Sequence, residues 1–233
     1  QAEDGIRDFC LSRGLGDVYK RQLYEYGIHI PLAIRWGNGI KDAGRSSDLL
    51  VSLTDLAPTI LEAAQLIIPN EMTGKSLNDI FLGLEIKDRS YAFSGKERHT
   101  VCREGDLPYP QRAVRDSRFL YIQNLEPERW PSGSPKIKSS HGWEYGDIDL
   151  SPAFNYLKEN KNKASIEKFF HFATGKRPSE ELFDIINDPA CQNNLVNNKV
   201  FESDKLLELS YITSVTLTVS FRSIVMTVVD LVP

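Results

Sequence analysis

The chain has 233 residues, with 28 Lys and Arg against 32 Asp and Glu, a formal net charge of -4, 41% hydrophobic residues and 26% charged ones. Those proportions fit one large globular domain or two small ones, and they exclude a disordered or fibrous chain. The acidic balance weighs against nucleic acid as the main partner, since phosphate binding draws on a basic surface. It leaves an anionic small substrate open, because a few local cations overcome a weak global field.

Residues 1–22, QAEDGIRDFCLSRGLGDVYKRQ, show no sustained helical or strand period and no apolar core of a signal peptide. YGIHIPLAIRW follows, rich in Ile, Leu and Trp, and reads as a buried strand of an α/β sheet. Pro31 places it at a strand start or sheet edge, where a missing N–H is tolerated. His29 alternates within it and reads as a core histidine rather than a ligand. In VSLTDLAPTILEAAQL, Thr54 is the expected N-cap and Asp55 suits the positive end of a helix. Leu56, Ile60, Ala63 and Ile67 keep helical spacing and are expected to pack on the sheet.

Further on, SYAFSG at 90–95 reads as a short strand, and QRAVRDSRFLYIQNL as a hairpin turning at Asp116-Ser117. Residues 126–149, with Pro127, Pro131 and Pro135, read as a long loop. Ser151-Pro152 opens a helix as N-cap and first helical residue. Ser165 opens another, with Ile166, Phe169, Phe170 and Ala173 on one face. ELFDII at 181–186 is a strand ended by Asp188-Pro189. From Tyr211 the side chains alternate through Thr213, Val215, Leu217, Val219 and Phe221, a strand pattern. The closing SIVMTVVDLVP is flanked by Arg222 and interrupted by Asp230, which makes it a poor membrane span. The order predicts an α/β fold: the end of a sheet domain followed by a small antiparallel sheet with helices.

The densest polar constellation is GKERHTVCREGDLPYPQRAVR, residues 95–115. It sets Lys96, Glu97, Arg98, His99, Arg103, Arg112 and Arg115 around a Pro-Tyr-Pro corner. Arg offers a planar fork to sulfate or carboxylate oxygens, His can donate to an oxyanion or protonate a leaving group, and Glu can accept from sugar hydroxyls. A solvated charged loop is the plainer reading of the same residues. His141 and His171 lack ligand-spaced partners, and the pairs Asp147/Asp149 and Glu180/Glu181 suit surface or cap roles better than catalysis. The three cysteines, Cys10, Cys102 and Cys191, form no CxxC or Cys/His pattern, so no zinc site or disulfide framework is read from them. No phosphate-cradling Gly-rich loop and no GxSxG elbow occurs.

Four segments, in order across residues 23 to about 200, resemble the C-terminal part of sulfatases, in the alkaline phosphatase superfamily. LYEYGIHIPLAIRW is similar to the segment LYE-x-G-I-R-x-P with its apolar strand. VSLTDLAPTILEAAQL with MTGKSL resembles the following helix and G-x-S-L. RAVRDSRFLYIQN resembles the C-terminal hairpin, and ELFDIINDPACQNNL the closing strand and DP-x-x-x-x-NL turn. RHTVCREGDLPYPQRAVR and NLEPERWPSG are most similar to the heparan N-sulfatase (sulfamidase) branch and its bacterial relatives. Residues 1–22 resemble instead the translation of a sequencing-library adapter.

The resemblance implies that residues 23–89 end an alkaline-phosphatase-like sheet domain and that 90–209 form a C-terminal subdomain. Residues 1–22 then count as an artefactual or disordered tail, and 210–233 as an atypical tail of frameshift character. It implies a hydrolase of sulfuric esters or sulfamates on sulfated sugars, working outside the cytoplasm (periplasm, secretion or a lysosome-like compartment). In that family a Cys or Ser of a C/S-x-P-x-R motif becomes formylglycine and attacks sulfur, while calcium, Lys, Arg and His stabilise the sulfate oxygens. This chain has no such motif and no Asp-Asn metal pair before the LYE segment. Calcium and formylglycine are therefore expected of the complete enzyme, no metal ligand is expected here, and the polypeptide alone is expected to be inactive. The family places a sulfate-binding Lys or Arg four residues before the Tyr of LYE. Lys20 holds that spacing, but it closes the adapter-like segment and is read as coincidence. His99 is the expected glycan contact, with Glu97, Arg98 and Arg112 beside it. His29 stands where the family usually has Arg, and Tyr26 where it has the first Gly of a pair. The expected partner is a sulfated saccharide, with no nucleic acid and no membrane span. Two other readings are a phosphodiesterase or phosphonate hydrolase of the same superfamily, and a non-catalytic module binding anionic glycans.

Overall fold

The computed structural model of the chain describes residues 22–84, 86, 89–216 and 225–231. In chain order the elements are α1 (Glu25–Ile28), β1 (Ile30–Ile34), β2 (Arg45–Ser47), β3 (Val51–Ser52), α2 (Leu56–Ala63), α3 (Asn78–Phe81), β4 (Ala92–Lys96), β5 (Gln111–Arg115), β6 (Phe119–Asn124), α4 (Pro152–Glu159), α5 (Ala164–Thr174), β7 (Glu180–Asp184), α6 (Glu202–Thr216) and β8 (Val225–Leu231). One sheet has the order β1-β8-β2 with β3 also on β8, and the other the order β4-β5-β6-β7. The expected α/β class is what is found. The chain divides into two compact units, one of residues up to Gly27 with Lys96–Arg112 and Ile122–Glu181, the other of Ile28–Gly95, Ala113–Tyr121 and Leu182 onward.

In the unit that begins at Ile28, β1 runs parallel to β8, and β2 and β3 run antiparallel to it. β1 is an edge strand, as Pro31 foretold, but half-buried rather than buried. Ile30, Leu32 and Ile34 pack on a core of Ile40, Val51, Leu77, Ile80 and Phe81, while Pro31 and Ala33 face solvent. Period-two geometry sends alternate side chains to opposite faces, and only one face has a core to meet. His29 stands just before the strand and is only partly buried.

α2 corrects the sequence reading at both ends. The N-cap of α2 is Asp55 and not Thr54, and it follows a 3-10 turn, Leu53–Asp55, capped by Ser52: Asp55 Oδ2 accepts the Ser52 N–H at 2.9 Å, satisfying one of the donors a helix start leaves open. The helix then stops at Ala63, with Gln65 in the left-handed region at φ 58°. Ile67 thus lies past the helix and is 91% exposed, and Ile60 is 67% exposed. Pro58 and Thr59 are the buried residues instead. Thr59 Oγ1 donates to Asp55 O at 2.5 Å and accepts the Leu77 N–H at 2.9 Å. Gly74 allows this closure: a Cβ there would stand 2.0 Å from the Thr54 carbonyl oxygen.

The β5–β6 hairpin turns where expected, with Asp116 Oδ1 accepting the N–H of Arg118 (2.7 Å) and of Phe119 (2.5 Å). The strand expected from Tyr211 is, over its described residues, the end of helix α6, while residues 217–221 lie outside the described ones. Leu209 and Ile212, three apart, join the core of Val114, Phe119, Tyr121 and Leu182, so helical spacing outweighs β-propensity there.

In the other unit, Ser151 caps α4 as expected, its Oγ accepting the Phe154 N–H at 3.1 Å, an arrangement worth about 1 kcal/mol. α5 begins one residue earlier than expected, at Ala164, which leaves Ser165 inside the first turn. Ile166, Phe170 and Ala173 pack with Tyr145, Ile148, Phe154 and Leu157, but Phe169 is 40% exposed. Full burial of a side chain such as Phe154 contributes roughly 1.5–3 kcal/mol. The 126–149 loop contains no helix or strand and is held by its backbone. Ser134 N–H donates to Cys102 O (2.8 Å), Ser140 N–H to Val101 O (3.2 Å) and Asp147 N–H to Ser132 O (3.2 Å). Gly133, at φ 96°, fits where a Cβ would stand 2.7 Å from Gly146 N and 3.1 Å from Cys102 Cβ.

Candidate functional site

The loop between β4 and β5 is closed at its base by Tyr109 N–H donating to Glu97 O at 2.8 Å. This brings the polar residues of 96–112 around one carboxylate the sequence reading set aside. Asp147 is not a surface or cap residue: its side chain is 2% exposed. Its Oδ2 accepts from Arg103 Nη2 at 2.6 Å and from Lys96 Nζ at 3.2 Å. Lys96 and Arg103 are themselves 10% and 4% exposed. Arg103 also donates through Nε to Trp130 O (2.6 Å) and through Nη2 to Pro131 O (2.7 Å), which Lys96 reaches at 3.3 Å. Its guanidinium lies 5.6 Å from the Tyr109 ring centroid.

Burial pushes the Asp147 carboxyl up, but Lys96 and Arg103 together outweigh it and hold it below the usual carboxylate range. Burial lowers Lys96, and the nearby Arg103 cation adds to that against the pull of Asp147. Two cations share one oxygen; the other, Oδ1, is buried with no nitrogen or oxygen donor within hydrogen-bond distance, and the Cys102 thiol is the neighbour the carboxylate also meets. Oδ1 faces His99 Nδ1 at 3.7 Å, and His99 is 41% exposed.

Each residue singled out in the sequence can now be placed. His99 stands at the opening over Asp147. Arg98 pairs with Asp106 at the surface, and Arg112 pairs with Glu97 while also donating to Gln111 O at 2.8 Å. The four are therefore brought onto one loop and its flanking strand, but three of them are tied to partners within it. Lys20 lies outside the described residues.

A second polar cluster in this unit was also missed. Glu181, given a surface or cap role in the sequence reading, is 4% exposed. It accepts from Tyr24 OH at 2.9 and 3.1 Å and from Asn124 Nδ2 at 2.9 Å, and Gln111 Nε2 donates on to Asn124 Oδ1 at 2.6 Å. Burial raises the Glu181 carboxyl, against the opposing pull of Arg177, Asn124 and Tyr24. Burial likewise raises the Tyr24 phenol well above its usual value, with the Glu181 charge next. The Tyr of the LYE segment is thus a structural tie.

Among the described residues, no group of three or more His, Cys, Asp or Glu is placed to hold a metal ion. Those residues do not fit a calcium site, and no step through calcium is derived. Both described cysteines, Cys102 and Cys191, are buried, and burial pushes the Cys102 thiol up to about 11, away from a reactive thiolate. Among the described residues no helix is long and apolar enough to cross a membrane.

Residues 14–126 match the family model described as N-sulphoglucosamine sulphohydrolase, C-terminal. The chain is similar to the C-terminal part of sulfatases. The match begins inside the adapter-like segment and so includes Lys20. An ulvan-active sulfatase of Formosa agariphila is 27% identical over 197 residues, covering 84% of this chain and 34% of that protein. A second ulvan-active sulfatase from the same organism is 33% identical over 195 residues, covering 82% and 29%. The chain thus spans about a third of the length of these curated relatives. Among solved structures, a protein in complex with its substrate D-glucosamine-2-N,6-O-disulfate aligns with a TM-score of 0.42 at 15% identity, over 70% of this chain and 23% of that one.

Proposed function

We propose that this chain supplies the sugar-facing loop of a hydrolase that removes sulfate from sulfated saccharides, as an ester or a sulfamate. The observation that carries the reading is the 96–112 loop, which sets His99 at the surface above the second carboxylate oxygen of buried Asp147. A carboxylate behind Nδ1 orients the ring and leaves Nε2 as the nitrogen that meets a ligand. With Nδ1 protonated toward Asp147, a second proton on Nε2 makes the ring a charged donor to a sulfate oxygen. Arg112, held by Glu97, and Arg98, held by Asp106, are pre-oriented cations that can exchange those partners for sulfate. The Lys96–Arg103–Asp147 cluster fixes the loop rather than touching substrate, since it is almost sealed from solvent.

The reaction, with the formylglycine and calcium expected from the resemblance, belongs to the complete enzyme. The polypeptide as given is therefore expected to release no sulfate from sulfated glucosamine or from ulvan, and the complete reading frame is expected to release it. One uninterrupted read of the source DNA across the codons for residues 15–30 identifies that frame, and the upstream sequence should hold C/S-x-P-x-R. Sulfate release by the 233-residue chain above a heat-killed control would overturn the division of labour. A complete frame that cleaves phosphonate esters but no sulfate would overturn the reaction. The compartment we infer is outside the cytoplasm, with the family.

A further inference from the structure

Outside the Asp147 cluster, the same unit carries a groove of about 600 Å³, a size that suits a small ligand. One wall is a stripe along α5 that includes Glu167, Lys168 and His171, spaced so that they share a helix face. The other wall is Trp130 and Tyr145, from the 126–149 loop, and Lys161 closes one end just before the helix. α5 has 11 residues and is thus about 16 Å long, more than one sugar ring spans.

The walls are built rather than incidental. Trp130 O is held by Arg103 Nε at 2.6 Å, and the neighbouring Pro131 O by both Arg103 and Lys96. The Tyr145 ring is locked edge-on against Phe154 and Phe170, with centroids 6.2 and 5.8 Å apart. The charged lining is two exposed lysines, Lys161 and Lys168, against one carboxylate, Glu167, with the exposed His171 beside them. Lys176 Nζ, which pairs with Glu128 at 3.8 Å, lies 5.6 Å from the Trp130 ring centroid.

We propose that this groove is a second saccharide site, which takes a sulfated oligosaccharide by stacking a ring on Trp130 and pairing sulfates with Lys161 and Lys168. An aromatic face suits the apolar side of a sugar ring, and ammonium donors make charge-assisted hydrogen bonds to sulfate oxygens. The inference rests on the reading that the substrate is a sulfated saccharide, and it makes that substrate a chain with more than one point of attachment. Two such contacts on one unit raise affinity by effective concentration when the ligand is long enough to meet both.

The test is calorimetric titration of the full chain with a sulfated glucosamine-containing tetrasaccharide, in wild type and in Lys161→Ala/Lys168→Ala. Both lysines are exposed, so an unchanged melting temperature is expected for the double variant. Its affinity is expected to weaken about tenfold, and wild-type affinity to fall as salt is added. Equal affinity in wild type and double variant overturns the groove. His99→Ala, titrated in parallel, separates the two readings. If it loses binding while the lysine variant keeps it, the loop stands and the groove falls. If the lysine variant loses binding while His99→Ala keeps it, the groove stands and the loop reading falls.

Discussion

Asp55 and Asp147 are both nearly sealed from solvent, at 6% and 3% exposed, and each meets a buried arginine. Asp55 uses both oxygens: Oδ1 accepts the Lys75 N–H at 2.7 Å, and Oδ2 accepts the Ser52 N–H at 2.9 Å and Arg89 Nη1 at 2.8 Å. Arg89 in turn donates to the carbonyls of Lys75 and Ser76. Every contact there ties one backbone segment to another. Asp147 instead takes two cations on one oxygen and leaves the other with no nitrogen or oxygen donor within hydrogen-bond distance. A buried acceptor without a donor costs on the order of 1–3 kcal/mol, and it is rare enough to call for a reason. The groups beside it are the Cys102 thiol and the half-exposed His99 imidazole, whose Nδ1 lies 3.7 Å from Oδ1. A saturated buried carboxylate holds a fold; the unsaturated one beside an open histidine belongs to the loop we propose as the site.

Removing charge from each aspartate separates the two designs. Asp147→Asn strands two buried cations and is expected to cost roughly 3–5 kcal/mol of unfolding free energy. Asp55→Asn takes the carboxylate from one cation, Arg89, rather than two, so a smaller loss is expected in the same denaturant melt. Equal losses would break the comparison. Glu181 sharpens it from the other direction through pH. Its carboxyl is raised by burial, so the folded state holds a proton more tightly than the unfolded chain. Stability from this group is present below the usual carboxylate range and is lost as pH rises through the folded value. Glu181→Gln keeps an acceptor for Tyr24 and Asn124, and is expected to flatten that loss in melts taken from pH 4 to pH 8. Asp147 has the opposite sign: its folded value is depressed, so its contribution is present above the usual range and fades as pH falls through the folded value.

The parts that were legible in the sequence are those decided locally. The hairpin follows from Asp116, whose own side chain makes the turn, and α4 from Ser151-Pro152. The loop at 96–112 stood out because its charges are dense along the chain. Asp147 did not, because its partners Lys96 and Arg103 lie 51 and 44 residues away and nothing in GDIDL marks it. Glu181 was hidden likewise, 157 residues from Tyr24. The face of α2 failed for a different reason: apolar spacing continued past Ala63, where the backbone had already left the helix. Toward residue 211 the pattern satisfied two periods at once, and packing on Val114 and Leu182 chose the helix.

The central claim is that the loop over Asp147 holds a sulfated sugar through His99. The direct measurement is the affinity of the chain for a sulfated glucosamine monosaccharide, a ligand too short to fill the α5 groove, in wild type and in His99→Gln. The account expects about a tenfold loss in the variant at unchanged melting temperature. Equal affinity in the two proteins would contradict it and return the loop to a solvated, charged surface.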